Sequence, residues 1–286
     1  MLGPDEVREL LDRHGLAARR SLGQNFVADP GVVAWIAEQA GTGPGDRVVE
    51  VGPGLGSLTL ALAGTGAHVL ALEKDESLVP VLRHVLRAAG VAEGEGDGEV
   101  DVRSADALKV DWSELLGAGA APGSWTLVAN LPYNVAVPVV MSVLAGAPAV
   151  GRLVVMVQKE VADRLAAGPG GRTIGLPSLR TAWYGRARVL GDVPPEAFVP
   201  QPRVVSSVVS VERHAPPSVL VGPDDALGLA ERAYHQRRKM LRATLGGHLP
   251  DGALEAAGID PCARPESLSV GDWARLAEVV AVGDGA

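Results

Sequence analysis

The pentapeptide Asn130 to Asn134, N-L-P-Y-N, directly follows an apolar, strand-like run from Trp125 to Ala129. Its residue types suit transfer of a methyl group to the exocyclic amine of a purine. That nitrogen is a weak nucleophile because its lone pair is delocalised into the ring. Two acceptors gripping its hydrogens help to localise the pair toward a methyl donor. The Asn130 side-chain oxygen and the Leu131 carbonyl, held by the rigid ring of Pro132, are such acceptors, and Tyr133 offers a ring on which an unstacked base can lie. Proximity and alignment then supply most of the acceleration, without a metal or a strong general base. Taken alone, the same residues also make an ordinary Asn/Pro turn after a strand.

Upstream, Glu50 to Gly56 reads E-V-G-P-G-L-G at the end of a first strand and just before a helical pattern starting near Ser57. Glycines there let the backbone turn sharply and approach a ligand closely. A nicotinamide nucleotide, S-adenosylmethionine or no ligand at all are each compatible with such a loop. Ser57 stands where the dinucleotide fingerprint wants its third glycine, which favours S-adenosylmethionine. Glu73 lies 21 positions after Gly52, at the end of the second strand, where a carboxylate can accept from both ribose hydroxyls. Asp106, in S-A-D-A after the third strand, is placed to accept from an adenine amino group, or to cap a turn.

The elements that must position these residues follow from periodicity. Asp29 and Pro30 form a helix start, Val33, Ile36, Ala37 and Ala40 recur at helical spacing, and Gly41 closes the helix. Seven strands are expected: Arg47 to Val51, His68 to Leu72, Val100 to Arg103, Trp125 to Ala129, Leu153 to Val157, Ala187 to Val193 and Val204 to Val211. The first five alternate with helices, the pattern of a doubly wound, mainly parallel α/β sheet. The last two, joined by Pro194 to Pro202, are expected as an antiparallel pair at one edge. Beyond Ala215 to Pro217 only helical patterns remain, at Ala226 to Leu245, Gly252 to Ala257 and Val270 to Val280. The expected organisation is a Rossmann-like catalytic domain over 1–214 and a small helical domain over 215–286.

Composition narrows the setting. Cys262 is the only cysteine among 286 residues, which excludes an intramolecular disulfide and a cysteine-based metal site, and His235 and His248 have no partner spacing for one. No export signal is visible, and a reducing cytoplasm is expected. Ser124 to Gly151 carries no charge, but Pro132, Pro138 and Pro148 with Asn130 and Asn134 argue against a membrane span. The net charge of −8 speaks weakly against a nucleic-acid partner. Locally, however, arginines gather at Arg186, Arg188 and Arg203. Arg237, Arg238, Lys239 and Arg242 stand at helical spacing, suited to phosphates or to a solvated helix face. Lys159 with Asp163 and Glu160 with Arg164 read as i,i+4 pairs.

Several longer motifs go beyond periodicity: S-L-G-Q-N-F-V (Ser21 to Val27), Q-K-E-V-A-D-R-L (Gln158 to Leu165), V-P-P-E-A-F-V-P-Q-P-R-V-V-S (Val193 to Ser206) and R-R-K-M-L-R (Arg237 to Arg242). With the glycine loop, Glu73, Asp106 and N-L-P-Y-N, they make nearly the whole chain resemble the bacterial 16S rRNA dimethyladenosine transferases, relatives of the macrolide-resistance rRNA adenine dimethylases. The resemblance implies a class I S-adenosylmethionine-dependent methyltransferase fold and twofold methylation of two adjacent adenines in the 3′-terminal hairpin of 16S rRNA. It also implies a substrate in the 30S subunit or its late precursor and a role in subunit biogenesis. Asn25 and Val27 border the cofactor by resemblance only, and a monomer is the default. Position 27 carries Val where the family usually has Leu, Pro177 is unexpected before Ser178, and the acidic loop Glu93 to Glu99 reads as an insertion. Phe26 and Phe198 are the only phenylalanines. Phe198 is expected either to enclose the target base opposite Tyr133 or to fill core, and Phe26 to lie by the cofactor entrance or in core. The rival readings are a 23S rRNA adenine methylase of the resistance type, an assembly factor that mainly binds RNA, and, more distantly, a nicotinamide dehydrogenase.

Overall fold

A computed structural model describes residues 1–19 and 22–283. The chain opens on α1 (Pro4–Arg13), which is not among the elements expected from the sequence. Pro4 occupies the first turn, Asp5 and Glu6 face the positive helix end, and Val7, Leu10 and Leu11 form its buried stripe. A two-residue strand β1 (Phe26–Val27) leads into α2 (Pro30–Ala40). Asp29 Oδ1 caps α2 by accepting from the Gly31 and Val32 amides at 2.8 and 3.1 Å, and Gly41 ends it in the left-handed region.

Next come β2 (Arg47–Val51), α3 (Ser57–Ala63), β3 (His68–Glu73), α4 (Val79–Ala88), β4 (Val100–Ser104), α5 (Trp112–Leu115), β5 (Trp125–Asn130), α6 (Ala136–Gly146) and β6 (Val150–Gln158). The uncharged stretch from Ser124 is thus a buried strand, a loop, α6 and the start of the next strand. Among the described residues no helix is long and apolar enough to cross a membrane. After α7 (Lys159–Leu165) and α8 (Leu176–Tyr184) follow β7 (Gly185–Val193), β8 (Phe198–Val199) and β9 (Ser206–Arg213).

Seven strands form one sheet in the order β4-β3-β2-β5-β6-β9-β7. The pairs among β4, β3, β2, β5 and β6 are parallel, and β9 runs antiparallel to β6. The fold is therefore the doubly wound, mainly parallel α/β sheet expected, with β9 and β7 together at one edge. Parallel strands covered on both faces read as continuous apolar runs, and Val48, Val49, Leu70, Leu127, Val128, Val154 and Val155 are all fully buried. The ribbon of β1 and β8, Phe26 opposite Val199 and Val27 opposite Phe198, stands apart from the large sheet.

Two compact units divide the chain: residues 1–162 with 188–213, and 163–187 with 214–286. The second contains α8, α9 (Pro223–Tyr234), α10 (Leu241–Leu245), α11 (Ala253–Ala256) and α12 (Val270–Gly283). The sequence boundary at 214 falls where the second unit resumes, but 163–187 belong to that unit and not to the catalytic one. Packing gives the reason, since Ile174, Leu179 and Trp183 share a core with Leu227, Leu241, Leu245, Trp273 and Leu276. Pro177 fits within the first turn of α8, whose first exposed amide, on Gly175, donates to Ser178 Oγ at 3.0 Å. The single helix expected over Ala226 to Leu245 is broken: residues 235–240 form turns between α9 and α10. Arg237, Arg238, Lys239 and Arg242 consequently do not share one helical face. Lys159 Nζ reaches Asp192 of β7 at 2.8 Å, across the sheet edge.

Candidate active site

Parallel pairing in register brings the ends of β2, β3, β4 and β5 to a common edge. From β2 the chain winds outward through β3 and β4, then returns to place β5 on the other side of β2. Ligands of open α/β sheets bind at such a reversal, beyond the strand C-termini. The loops there enclose a cavity lined by Asn25, Phe26, Val27, Glu50, Gly52, Gly54, Glu73, Lys74, Asp106, Leu108, Asn130, Leu131, Pro132 and Tyr133, among others. All the cofactor and catalytic positions expected from the sequence thus meet around one space.

The glycine loop has the shape its composition predicts. Gly54 has φ +58°, and a Cβ there would sit 3.0 Å from the Phe26 ring; at Gly56, with φ +91°, it would sit 2.6 Å from Leu82. Phe26 therefore packs on the loop and lines the cavity at the same time. Glu73 is buried and accepts from the Gly54 amide at 3.0 Å and the Asp75 amide at 2.8 Å, one on each carboxylate oxygen. Burial raises its pKa, with these amides and that of Lys74 opposing, and the carboxylate keeps acceptor capacity for the cavity. Asp106 accepts from the Leu108 amide at 3.1 Å and pairs with Lys74 Nζ at 2.9 Å. Partial burial opposes ionisation of Asp106, but Lys74 and the Leu108 amide outweigh it and hold the pKa low.

Sequence pattern assigns no role to Glu50, although it opens the glycine motif. It is 1% exposed, its pKa is pushed up to about 8 by burial, with Glu73 reinforcing, and neither its Oε2 nor the Thr59 hydroxyl makes a hydrogen bond of good geometry within the protein. An orphaned buried carboxyl oxygen beside a cavity points to a polar ligand group.

The pentapeptide Asn130 to Asn134 is fixed from two sides. Asn130 Nδ2 donates to the Asn25 carbonyl at 2.9 Å, which leaves Oδ1 as the free end of that amide. The Leu131 amide donates to Met156 of β6 at 3.1 Å and the Val135 amide to the Pro132 carbonyl at 3.1 Å, so the chain is tied down on both sides of the Leu131 carbonyl. Tyr133 Oη and Ser206 Oγ lie 2.7 Å apart. Asn25 thus serves the site through its backbone, in addition to lining the cavity. Its arm is latched by Asp75, which accepts from Arg19 at 3.1 Å and from Gln24 at 2.9 Å. Ser21, the first residue of the arm motif, lies outside the described residues.

The expected RNA contacts are not gathered in the same way. Phe198 is 1% exposed, belongs to the main core and does not line the cavity, because β8 pairs with β1 and turns the ring inward. Of its two expected roles, the structure favours core filling. Arg203 is exposed in the first unit. In the second unit Arg238, Lys239 and Arg242 are exposed, while Arg237 is half-buried and committed to Glu266 at 2.9 Å and the Arg172 carbonyl at 3.2 Å.

Comparison with known proteins adds an independent line. The family described as ribosomal RNA adenine dimethylase matches residues 15–282. A protein of Kineococcus radiotolerans described as ribosomal RNA small subunit methyltransferase A is 47% identical over 282 residues, covering 97% of this chain and 91% of its own. One of Cutibacterium acnes with the same description is 45% identical, covering 98% and 95%. Among solved structures, a dimethyladenosine transferase from Plasmodium falciparum has a TM-score of 0.73 at 21% identity, covering 88% of this chain and 95% of its own. The 23S rRNA methyltransferase ErmE has a TM-score of 0.67 at 24% identity, covering 90% and 100%. These two likenesses establish the shared fold.

Proposed function

Because the chain belongs to the ribosomal RNA adenine dimethylase family, we propose that it transfers methyl groups from S-adenosylmethionine to the exocyclic nitrogens of two adjacent adenines in the 3′-terminal hairpin of 16S rRNA. It acts as a cytoplasmic monomer on the 30S subunit or its late precursor. The observation that carries this reading is the fixed pair of acceptors, Asn130 Oδ1 and the Leu131 carbonyl, at the rim of a cavity suited to an adenosine ligand.

The cavity residues fit S-adenosylmethionine group by group. The free lone pairs of Glu73 suit the ribose hydroxyls, Asp106 suits the adenine amine, and the orphaned Glu50 Oε2 suits an ammonium. When bound, the cofactor supplies an electrophilic methyl group on a sulfonium sulfur. Asn130 and Leu131 accept the two amino hydrogens of the target adenine, hold the nitrogen in place and localise its lone pair outward. Tyr133 stacks the extruded base, replacing part of the stacking lost from RNA. Each transfer forms the N–CH3 bond as the S–CH3 bond breaks, the sulfur leaving as a neutral thioether, and the nitrogen sheds one proton to water. After the first transfer one amino hydrogen remains, so in the second round one acceptor still grips the nitrogen while the new methyl takes the other's place.

The small-subunit assignment is supported by relatives of that description aligned over nearly the whole chain. Methylation assays on purified 30S and on 23S rRNA distinguish it from the resistance-type rival. The assembly-factor reading is disfavoured by the locked Asn130 amide, a geometry that RNA binding alone does not need. Asn130→Ala tests the proposal: methyl transfer is lost while cofactor binding persists, and full activity in that variant would overturn the assignment.

A further inference from the structure

We infer that Ser206 is a positioning residue for methyl transfer, fixing through one hydrogen bond the Tyr133 ring on which the target base lies. The inference rests on the function proposed above. Ser206 closes the long motif Val193 to Ser206, most of which is the connection running from β7 through β8 to β9, and no cofactor or acceptor contact accounts for it.

The Ser206 side chain is fully buried, and its hydroxyl lies 2.7 Å from Tyr133 Oη. Its backbone cannot follow the tyrosine. Ser206 begins the β6–β9 ladder opposite Gln158, and the preceding carbonyl, on Val205, accepts from the Lys159 amide at 3.0 Å. Tyr133 is equally held at its other end, where Pro132 restricts the backbone and the Leu131 and Val135 amides are engaged. With the chain fixed on one side and the hydroxyl on the other, both ring torsions are confined, so the ring waits in one orientation before RNA arrives. Swinging it away would strand the buried Ser206 hydroxyl. Burial raises the Tyr133 pKa, so the phenol stays neutral and Ser206 governs orientation, not charge.

Turnover on undermethylated 30S subunits tests this with Ser206→Ala, Tyr133→Phe and the double variant, alongside cofactor affinity and thermal melting. Each single change is expected to lower kcat about tenfold, the worth of one hydrogen bond made in an excluded site. The double should lose no more than either single, KM for S-adenosylmethionine should stay constant, and N6-methyladenosine should accumulate over the dimethyl product. Accumulation is expected because the second transfer has only one amino hydrogen to hold the base and leans harder on the ring. Losses that multiply in the double, or a lowered melting temperature with wild-type kcat, would overturn the inference. If Ser206→Ala does not fold, Tyr133→Phe reads the same bond from the other side, and wild-type kcat there overturns it too. Absence of dimethyladenosine with the unaltered chain instead overturns the proposed function itself, and this inference with it.

Discussion

Glu73 and Asn130 differ in what they give up to the protein and what they keep for a ligand. Glu73 spends part of its acceptor capacity on backbone amides and keeps the rest for the cavity, whereas Asn130 spends an amide hydrogen on Asn25 and keeps its oxygen. Glu73→Ala is therefore expected to weaken S-adenosylmethionine binding at least tenfold by calorimetry, the loss of a charge-assisted bond or more. Asn130→Ala should cut turnover at least a hundredfold with a smaller change in cofactor affinity. Glu50 predicts a pH effect on stability. Its carboxyl pKa is pushed up to about 8 in the folded chain and has its ordinary value of 4.5 when exposed, so the folded state holds the extra proton between those values. Stability from this group is complete below about 4.5 and is lost as pH rises toward 8. Urea melts of Glu50→Gln should lack that decline, and an identical pH profile in both proteins would refute the assignment. Glu73, Asp106 and Asn130 are legible in the sequence because their types stand at strand ends at informative offsets. Glu50 is not, since a carboxylate in a strand gives no sign of how deeply it is buried.

At the level of elements, the five parallel strands and α2 are legible because each carries its own apolar period or its own cap. The β1–β8 ribbon is not, because two residues define no period and the partners lie more than 170 positions apart. The break after Tyr234 is hidden for another reason, since Tyr234 and Leu241 stand seven positions apart, a helical interval, on either side of residues that turn. The arm before β1 matters to function because it supplies the Asn25 carbonyl. Gly23 lets the arm approach the catalytic loop: it has φ +65°, and a Cβ would lie 2.7 Å from Asn134 Oδ1 and 3.2 Å from Pro132 Cβ. Gly23→Ala adds both a clash and about 1–2 kcal/mol of left-handed strain. Turnover should fall several-fold, with a melting temperature lower by a few degrees; unchanged turnover would separate the arm from the chemistry.

For the whole molecule, the two units follow cores and not the order of the chain. Trp183, Leu179 and Ile174, from the segment 163–187, fill the core of the helical unit. Each such side chain, fully buried, contributes about 1.5–3 kcal/mol, so a fragment of residues 214–286 alone should lack helical cooperativity in circular dichroism. Cooperative melting of that fragment would show that the helical unit is self-sufficient. The change of pattern near Ala215 reveals the second unit, but amphipathic spacing in α8 says only that one face is buried, not which core receives it. Net charge misleads in a similar way: the total of −8 conceals exposed Arg238, Lys239 and Arg242. If these three contact phosphate, replacing them with Ala should reduce both rRNA affinity and its salt dependence. The most direct test of the molecule's function is incubation with labelled S-adenosylmethionine and undermethylated 30S subunits, followed by mass spectrometry of the nucleosides. The expected product is N6,N6-dimethyladenosine in the 3′-terminal hairpin of 16S rRNA. Cofactor binding without transfer, or label confined to 23S rRNA, would contradict it.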